Sequence, residues 1–184
     1  MSKFFKITTL ISFMLTAIMS LLFCWIHFDV CLSLAITFGT IFYHFGARLL
    51  VGFIFDITLK NRVDYTKWWF KVHKWENKLF KFLKVKKWKG KLPTYSSDLF
   101  SLENHSLPEI AQTMCQAELV HEVNAVISFI PLVATIWFGS FYVFLITSIC
   151  GAIFDLVFVV AQRYNRQRII SIIQKRNIEK DSSI

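Results

Sequence analysis

Two groups of side chains in this 184-residue chain have the types and spacing to do chemistry. The first lies in Ala117-Glu118-Leu119-Val120-His121-Glu122. Glu118 and His121 stand three residues apart, so a helix puts them on one face. An imidazole titrates near neutrality, and a carboxylate beside it is a common way to set a general base. E-x-x-H is also half of a di-iron bundle site. The chain has no second copy of it, so the pattern points to proton transfer and to no metal. The plainer role for these residues is a polar cap where a membrane span meets water. The second group is Asp155 with Gln162-Arg163-Tyr164-Asn165-Arg166-Gln167-Arg168. Asp155, Gln162 and Arg166 are seven and four residues apart, which aligns them on one helix face. A lone carboxylate in an apolar stretch is costly, so Asp155 should be neutral, ligand-linked or paired. His121, Arg48 and Arg166 are all open as partners. The arginines also fit a simple anchor at the membrane edge.

The elements that hold these groups are written in the composition. Hydrophobic residues make up 55% of the chain and charged residues 18%, and the mean hydropathy is +0.50. A soluble domain carries about a quarter charged residues. Charges avoid Ile7–Trp25, most of Cys31–Ile54 and most of Ala125–Ala161, and they crowd between Lys60 and Lys91. The net charge of +9 would suggest nucleic acid in a soluble protein. Beside apolar spans the expected counter-charge is anionic lipid headgroups instead. The pattern predicts an all-α, polytopic membrane protein forming one membrane domain over residues 1–184. Its four transmembrane helices fall at about 7–26, 31–55, 120–138 and 141–161, each sized against a core of about 30 Å. The first is read as a retained span because its apolar run is long for a signal peptide and no A-x-A-like site follows.

Within the second span, His44 and Arg48 lie one turn apart, and intramembrane ionisable groups face the protein interior or an interface. In the third, the strictly apolar part, Ala125 to Phe138, covers only about 20 Å. Either the bilayer thins there, or Glu118, His121, Glu122 and Asn124 enter it. Pro131 should kink this span, and Ser106 should cap a helix starting near Pro108. Four cysteines, Cys24, Cys31, Cys115 and Cys150, show no metal spacing; Cys24 and Cys31 flank a turn and could pair. Trp68, Val72, Trp75, Leu79 and Phe82 repeat at 4-3-4-3 spacing beside Lys67, Lys71, Lys74, Lys78 and Lys81. That predicts an amphipathic interfacial helix within 63–91, with lysine stems snorkelling to headgroups. A polyanionic ligand, such as a coenzyme's phosphates, is the sharper use of the same charge.

Ala117-Glu118-Leu119-Val120-His121, Lys86-Lys87-Trp88-Lys89 and Gln162-Arg163-Tyr164-Asn165-Arg166 with Arg168 together resemble the glycosyl-4,4'-diaponeurosporenoate acyltransferase family in order and spacing. The resemblance spans roughly Lys67 to Arg168. It departs from the family pattern, as this chain has Asp155 and Val157 where an Asn and a Pro precede the QRYNR string. Gln167 replaces a Pro after that string, and Gln116 replaces an Arg before Ala117. The resemblance implies a membrane acyltransferase that esterifies a sugar hydroxyl of a glycosylated carotenoid acid with a fatty acyl group.

The expected function is therefore O-acyl transfer from a cytosolic thioester, such as an acyl-coenzyme, to a hydroxyl on a lipid-linked acceptor, with no bound cofactor. His121 would be the general base, Glu118 would orient it, and Asp155 completes the catalytic candidates. Arg163, Tyr164, Asn165, Arg166, Arg168, Gln162, Lys87, Trp88, Lys89 and Glu122 are the substrate-binding candidates. Two rivals stand beside it: a non-enzymatic membrane subunit that organises a lipid-synthesis or transport complex, and a small transporter using His44 and Asp155. Lys3 and Lys6, the lysine-rich segment, and Arg163, Arg166 and Arg168 flank the same ends of the spans, and the outer turns lack Lys and Arg. By the positive-inside rule this predicts a cell-membrane protein with both termini cytoplasmic. Cysteines introduced at Asn61, Ser97 and Ser183 should react with an impermeant label only from the cytosolic side. One near Ser140 should react only from outside, and the reverse result contradicts the four-span topology.

Overall fold

A computed structural model describes residues 2–93 and 98–181, and its regular elements among these are all helices. They are α1 (Ser2–Ile26), α2 (Asp29–Leu59), α3 (Lys74–Phe82), α4 (Val85–Trp88), α5 (Leu107–Ile127), α6 (Thr135–Phe138) and α7 (Phe141–Asp181), with short 3-10 turns between several of them. Four helical runs are long and apolar enough to cross a membrane: Lys3–Ile26, Asp29–Leu59, Leu107–Phe138 and Phe141–Lys180. Ser97 and Ser183, two of the labelling positions, lie outside the described residues. By its contacts the chain forms two compact units, Met1–Ile54 with Val123–Phe154, and Phe55–Glu122 with Asp155–Ile184.

In the first unit α1 and α2 pack antiparallel. Phe5 meets Phe45 at 5.1 Å and Phe13 meets Phe42 at 5.3 Å between ring centroids. Small residues bring the helices close, since a Cβ on Gly46 or Gly39 would lie 3.6 Å from a methyl of Thr9 or Thr16. The hydroxyls of Thr9, Ser12, Thr16 and Thr40 each bond the carbonyl four residues back, which satisfies them without water. Ile7, Leu10, Leu21, Trp25, Phe53 and Ile136 are exposed, as expected of helices whose outer faces meet lipid. Arg48 Nη2 donates to Gly151 O at 3.0 Å and Ser128 Oγ at 3.3 Å, and Nη1 donates to the His44 carbonyl at 2.5 Å. Cys24 and Cys31 are not bridged.

Local signals set the helix ends. His27, at φ 53°, stops α1, and the left-handed pair Lys60 and Asn61 stops α2. Ser106 precedes α5, and Glu109 Oε2 accepts both its backbone N–H and its hydroxyl at 2.8 Å, so Ser106 marks the start of the helix through the Glu109 half of a capping box. Pro131 lacks an N–H and falls in the 3-10 turn Ile130–Ala134 that separates α5 from α6. The third span is nevertheless not short: the helical run starts at Leu107 and is 32 residues long, so Glu118, His121, Glu122 and Asn124 lie well inside it. The helix of the fourth span continues past Ala161, as α7 has 41 residues. Arg163 to Arg168 ends the apolar stretch but not the helix, because these are adequate helix formers whose side chains are held by protein.

The single amphipathic helix expected from Trp68 to Phe82 does not form. Trp68–Phe70 is a 3-10 turn, the residues to His73 are irregular, and α3 begins at Lys74. The cause is a capping box at His73, whose N–H bonds Glu76 Oε2 at 2.6 Å, together with the inward pull on Phe70. Phe70 packs with Val63 and Cys115 against Leu59, Tyr65 and Leu119. The inward face of α3 is Glu76, Asn77 and Phe80, and the Trp75 and Phe82 side chains are exposed. Gln116, where the family pattern has Arg, accepts the Asn61 N–H at 2.7 Å.

The largest fully buried side chain is Arg166. Its Nη2 bonds Glu118 Oε2 at 2.7 Å, its Nη1 bonds Phe70 O at 2.6 Å, and its guanidinium lies 4.8 Å from the Phe70 ring centroid. Arg166→Met should therefore leave one oxygen of the buried Glu118 unpaired and cost about 3–5 kcal/mol, read as a lower unfolding midpoint in detergent. Adding Glu118→Leu should recover much of that loss. A single variant as stable as the wild type would contradict the role given to this pair.

Candidate functional site

The second unit brings most of the sequence-predicted residues together, in three arrangements along α5 and α7. The first is a pair. His121 Nδ1 lies 2.9 Å from Asp155 Oδ1, and the side chains are 23% and 0% exposed. The His121 ring stacks on Phe158, with centroids 4.7 Å apart and planes 13° apart. Both contacts come from α7, one residue a turn beyond the other, so one helix face fixes the imidazole in position and tilt. An ionised Asp155 accepts from Nδ1–H, which fixes the tautomer and leaves the Nε2 lone pair to take a proton. Among the described residues nothing hydrogen-bonds Nε2. His121 is thus one of the open partners that Asp155 does have.

Glu118 does not orient His121, contrary to expectation. The two share a helix face, but among the described residues no hydrogen bond joins them. Glu118 is fully buried and belongs to the second arrangement, a network of three carboxylates and two guanidiniums. Its Oε1 lies 3.1 Å from Arg163 Nη1, opposite the bond from Arg166. Arg163 also meets Glu76 Oε1 at 2.8 Å and Glu122 Oε1 at 3.6 Å, and its Nη2 donates to Trp69 O at 3.2 Å. Glu122 Oε2 accepts the Trp69 indole N–H at 2.9 Å. With more acids than bases, the network is not a place for donor phosphates. Arg163 and Arg166, expected to hold them or to stabilise an oxyanion, spend their donors on carboxylates and carbonyls.

The third arrangement is cationic. Lys89 Nζ hydrogen-bonds Asn165 Oδ1 and lies 5.1 Å from the Tyr164 ring centroid. Tyr164 in turn meets the buried Phe80 edge-on at 5.6 Å. Arg168 and Lys87 are exposed, and Gln162 is half-buried. Trp88 is half-buried, and its indole N–H donates to Leu83 O at 2.8 Å, closing a local turn. His44 and Arg48 belong to the other unit. Among the described residues no group of three or more His, Cys, Asp and Glu is placed to hold a metal.

Sequence reasoning missed Glu76 and Trp69. Glu76 had a visible signal, since it is the one acid between Asp64 and Asp98 in a lysine-rich stretch. A solitary acid there is placed for a specific partner. Trp69 had none, because it falls off the 4-3-4-3 stripe.

No curated protein and no solved structure matches the chain. The family of glycosyl-4,4'-diaponeurosporenoate acyltransferases matches residues 66–175. That stretch holds all three arrangements and more than half of the chain, and it agrees with the family suggested by the short strings. The chain belongs to the glycosyl-4,4'-diaponeurosporenoate acyltransferase family.

Proposed function

We propose that the protein transfers a fatty acyl group from a thioester donor to a hydroxyl of a glycosylated, lipid-linked acceptor at the cell membrane. The observation that supports this best is the pairing of His121 with the buried Asp155. In this reading His121 Nε2 takes the proton of the acceptor hydroxyl as its oxygen attacks the thioester carbonyl carbon. The tetrahedral intermediate collapses, the C–S bond breaks, and the thiolate leaves with the proton that His121 returns. Asp155 holds the imidazole and offsets the positive charge it gains. The Arg163–Arg166 network positions α5 against α7 and so sets where His121 stands. A cytosolic donor requires the QRYNR end of α7 on the cytosolic side, with both termini there, which agrees with the distribution of lysine and arginine.

The test is ester formed per mole of folded protein in lipid nanodiscs, with acyl-coenzyme A and a glycosylated carotenoid acid. His121→Ala should lower turnover by about 10²–10⁴-fold while expression and unfolding midpoint stay near wild type. Asp155→Leu should lose nearly as much. Asp155→Asn, which keeps an acceptor oxygen but not the charge, should fall between. Near-normal turnover in His121→Ala would overturn the base assignment. No ester from wild-type protein with any acyl thioester would favour a non-enzymatic subunit.

A further inference from the structure

Among the described residues of the second unit, Lys89 is the half-buried lysine, and the other lysines there are exposed. Arg163 and Arg166 face carboxylates. Lys89 and Arg168 do not: among the described residues neither has a carboxylate partner. Lys89 is half-buried, on the 3-10 turn Lys89–Lys91, with its ammonium hydrogen-bonded to Asn165 and 5.1 Å from the Tyr164 ring centroid. The Asn165 contact uses one of the three ammonium donors. Burial, and then the nearby Arg168 guanidinium, hold the Lys89 ammonium below its ordinary pKa. Arg168 is exposed and stands three residues beyond Asn165 on α7, on the same helix face; like charges near one another repel, and an anion between them converts that cost into attraction. Lys86, Lys87 and Lys91 are exposed and extend the positive field around them.

The residue types narrow the anion. Lysine is a compact point charge with three donors and arginine a planar fork; together with the Asn165 amide N–H they suit tetrahedral phosphoryl oxygens. A flat aromatic surface at Tyr164 adjoins this cluster and offers a stacking face to a base or a cover for an apolar group. We propose that Lys89, Asn165 and Arg168 form a phosphate-ester site, with Tyr164 as its floor. The assignment rests on the acyl-transfer reading only where the phosphate is taken to be that of the thioester donor. A phospholipid headgroup carries the same chemistry.

The experiment uses the full chain in nanodiscs of zwitterionic phosphatidylcholine, titrated with coenzyme A by calorimetry. A parallel arm measures phosphatidylglycerol retained by the protein from mixed vesicles. Lys89→Met and Arg168→Met should each weaken binding about 10-fold or more, and Lys89→Arg should stay within about 3-fold of wild type. Loss confined to the coenzyme A arm assigns the site to a soluble donor, and loss confined to the phosphatidylglycerol arm assigns it to lipid. Wild-type affinity in both arms for both methionine variants would overturn the site. His121→Ala should bind coenzyme A as the wild type does, which separates the two readings. If it keeps turnover while Lys89→Met loses binding, the base is wrong and the anion site stands. If it loses turnover while Lys89→Met binds normally, the anion site is wrong and the base stands.

Discussion

A fully buried arginine is costly unless its charge is opposed and its donors are used, and Arg166 determines much of the second unit for that reason. Its partners come from two places, Glu118 and Phe70. Glu118 is on α5, the Phe70 carbonyl lies in the turn before α3, and the Phe70 ring covers the guanidinium plane. No two of these elements can shift without stranding a charge. An ion pair of this kind adds little net stability against a well-packed apolar alternative, but breaking half of it is expensive. Its use is therefore positional: it fixes α5 against α7 in one register. That register puts His121 opposite Asp155 and Phe158.

The same constraint explains why the Trp–Lys segment is not one lipid-bound helix. Phe70 must turn inward to reach Arg166, and Glu76 must turn inward to reach Arg163. On a continuous helix Phe70 and Glu76, six residues apart, would stand about 120° from one another around the axis, so one inward face does not hold both. The chain breaks at 71–73, and the capping box at His73 restarts it as α3. The exposed Trp68, Trp75 and Phe82 rings, at 72%, 62% and 81%, survive as an outward apolar surface in spite of the break. Their spacing recorded which side chains face out, but not whether a single helix presents them.

Long-range ion pairs are what a single sequence hides. The four spans were legible, because hydropathy and length decide them within one segment. So were the helix start at Ser106 and the break at Pro131, which depend on a few adjacent residues. The ends of α5 and α7 were not, since hydropathy marks where the apolar stretch stops and not where the helix does. In the site, Glu118 and His121 were recognised but coupled to each other. Helical spacing makes two residues neighbours on a surface without saying which bonds which. Buried and facing two guanidiniums, Glu118 is worth far more to Arg166 than to a neutral imidazole. His121 is left to Asp155, thirty-four residues away.

The departures from the family pattern take on physical sense at these positions. Gln116 stands where an Arg is usual, and its carbonyl oxygen accepts the Asn61 N–H at the left-handed end of α2. An arginine has no acceptor and could not make that bond. Asp155 stands where an Asn is usual. Either side chain offers an oxygen to the Nδ1–H of His121, so the need common to both is an acceptor that fixes the tautomer. Only the aspartate also opposes the charge of an imidazolium. An imidazolium held by Asn relies on other groups for that compensation, whereas in this chain the opposing group is part of the pair. An exchange of Asn for Asp at this position therefore keeps the acceptor that holds the ring and changes the electrostatics around it, because the carboxylate can carry a charge and the amide cannot.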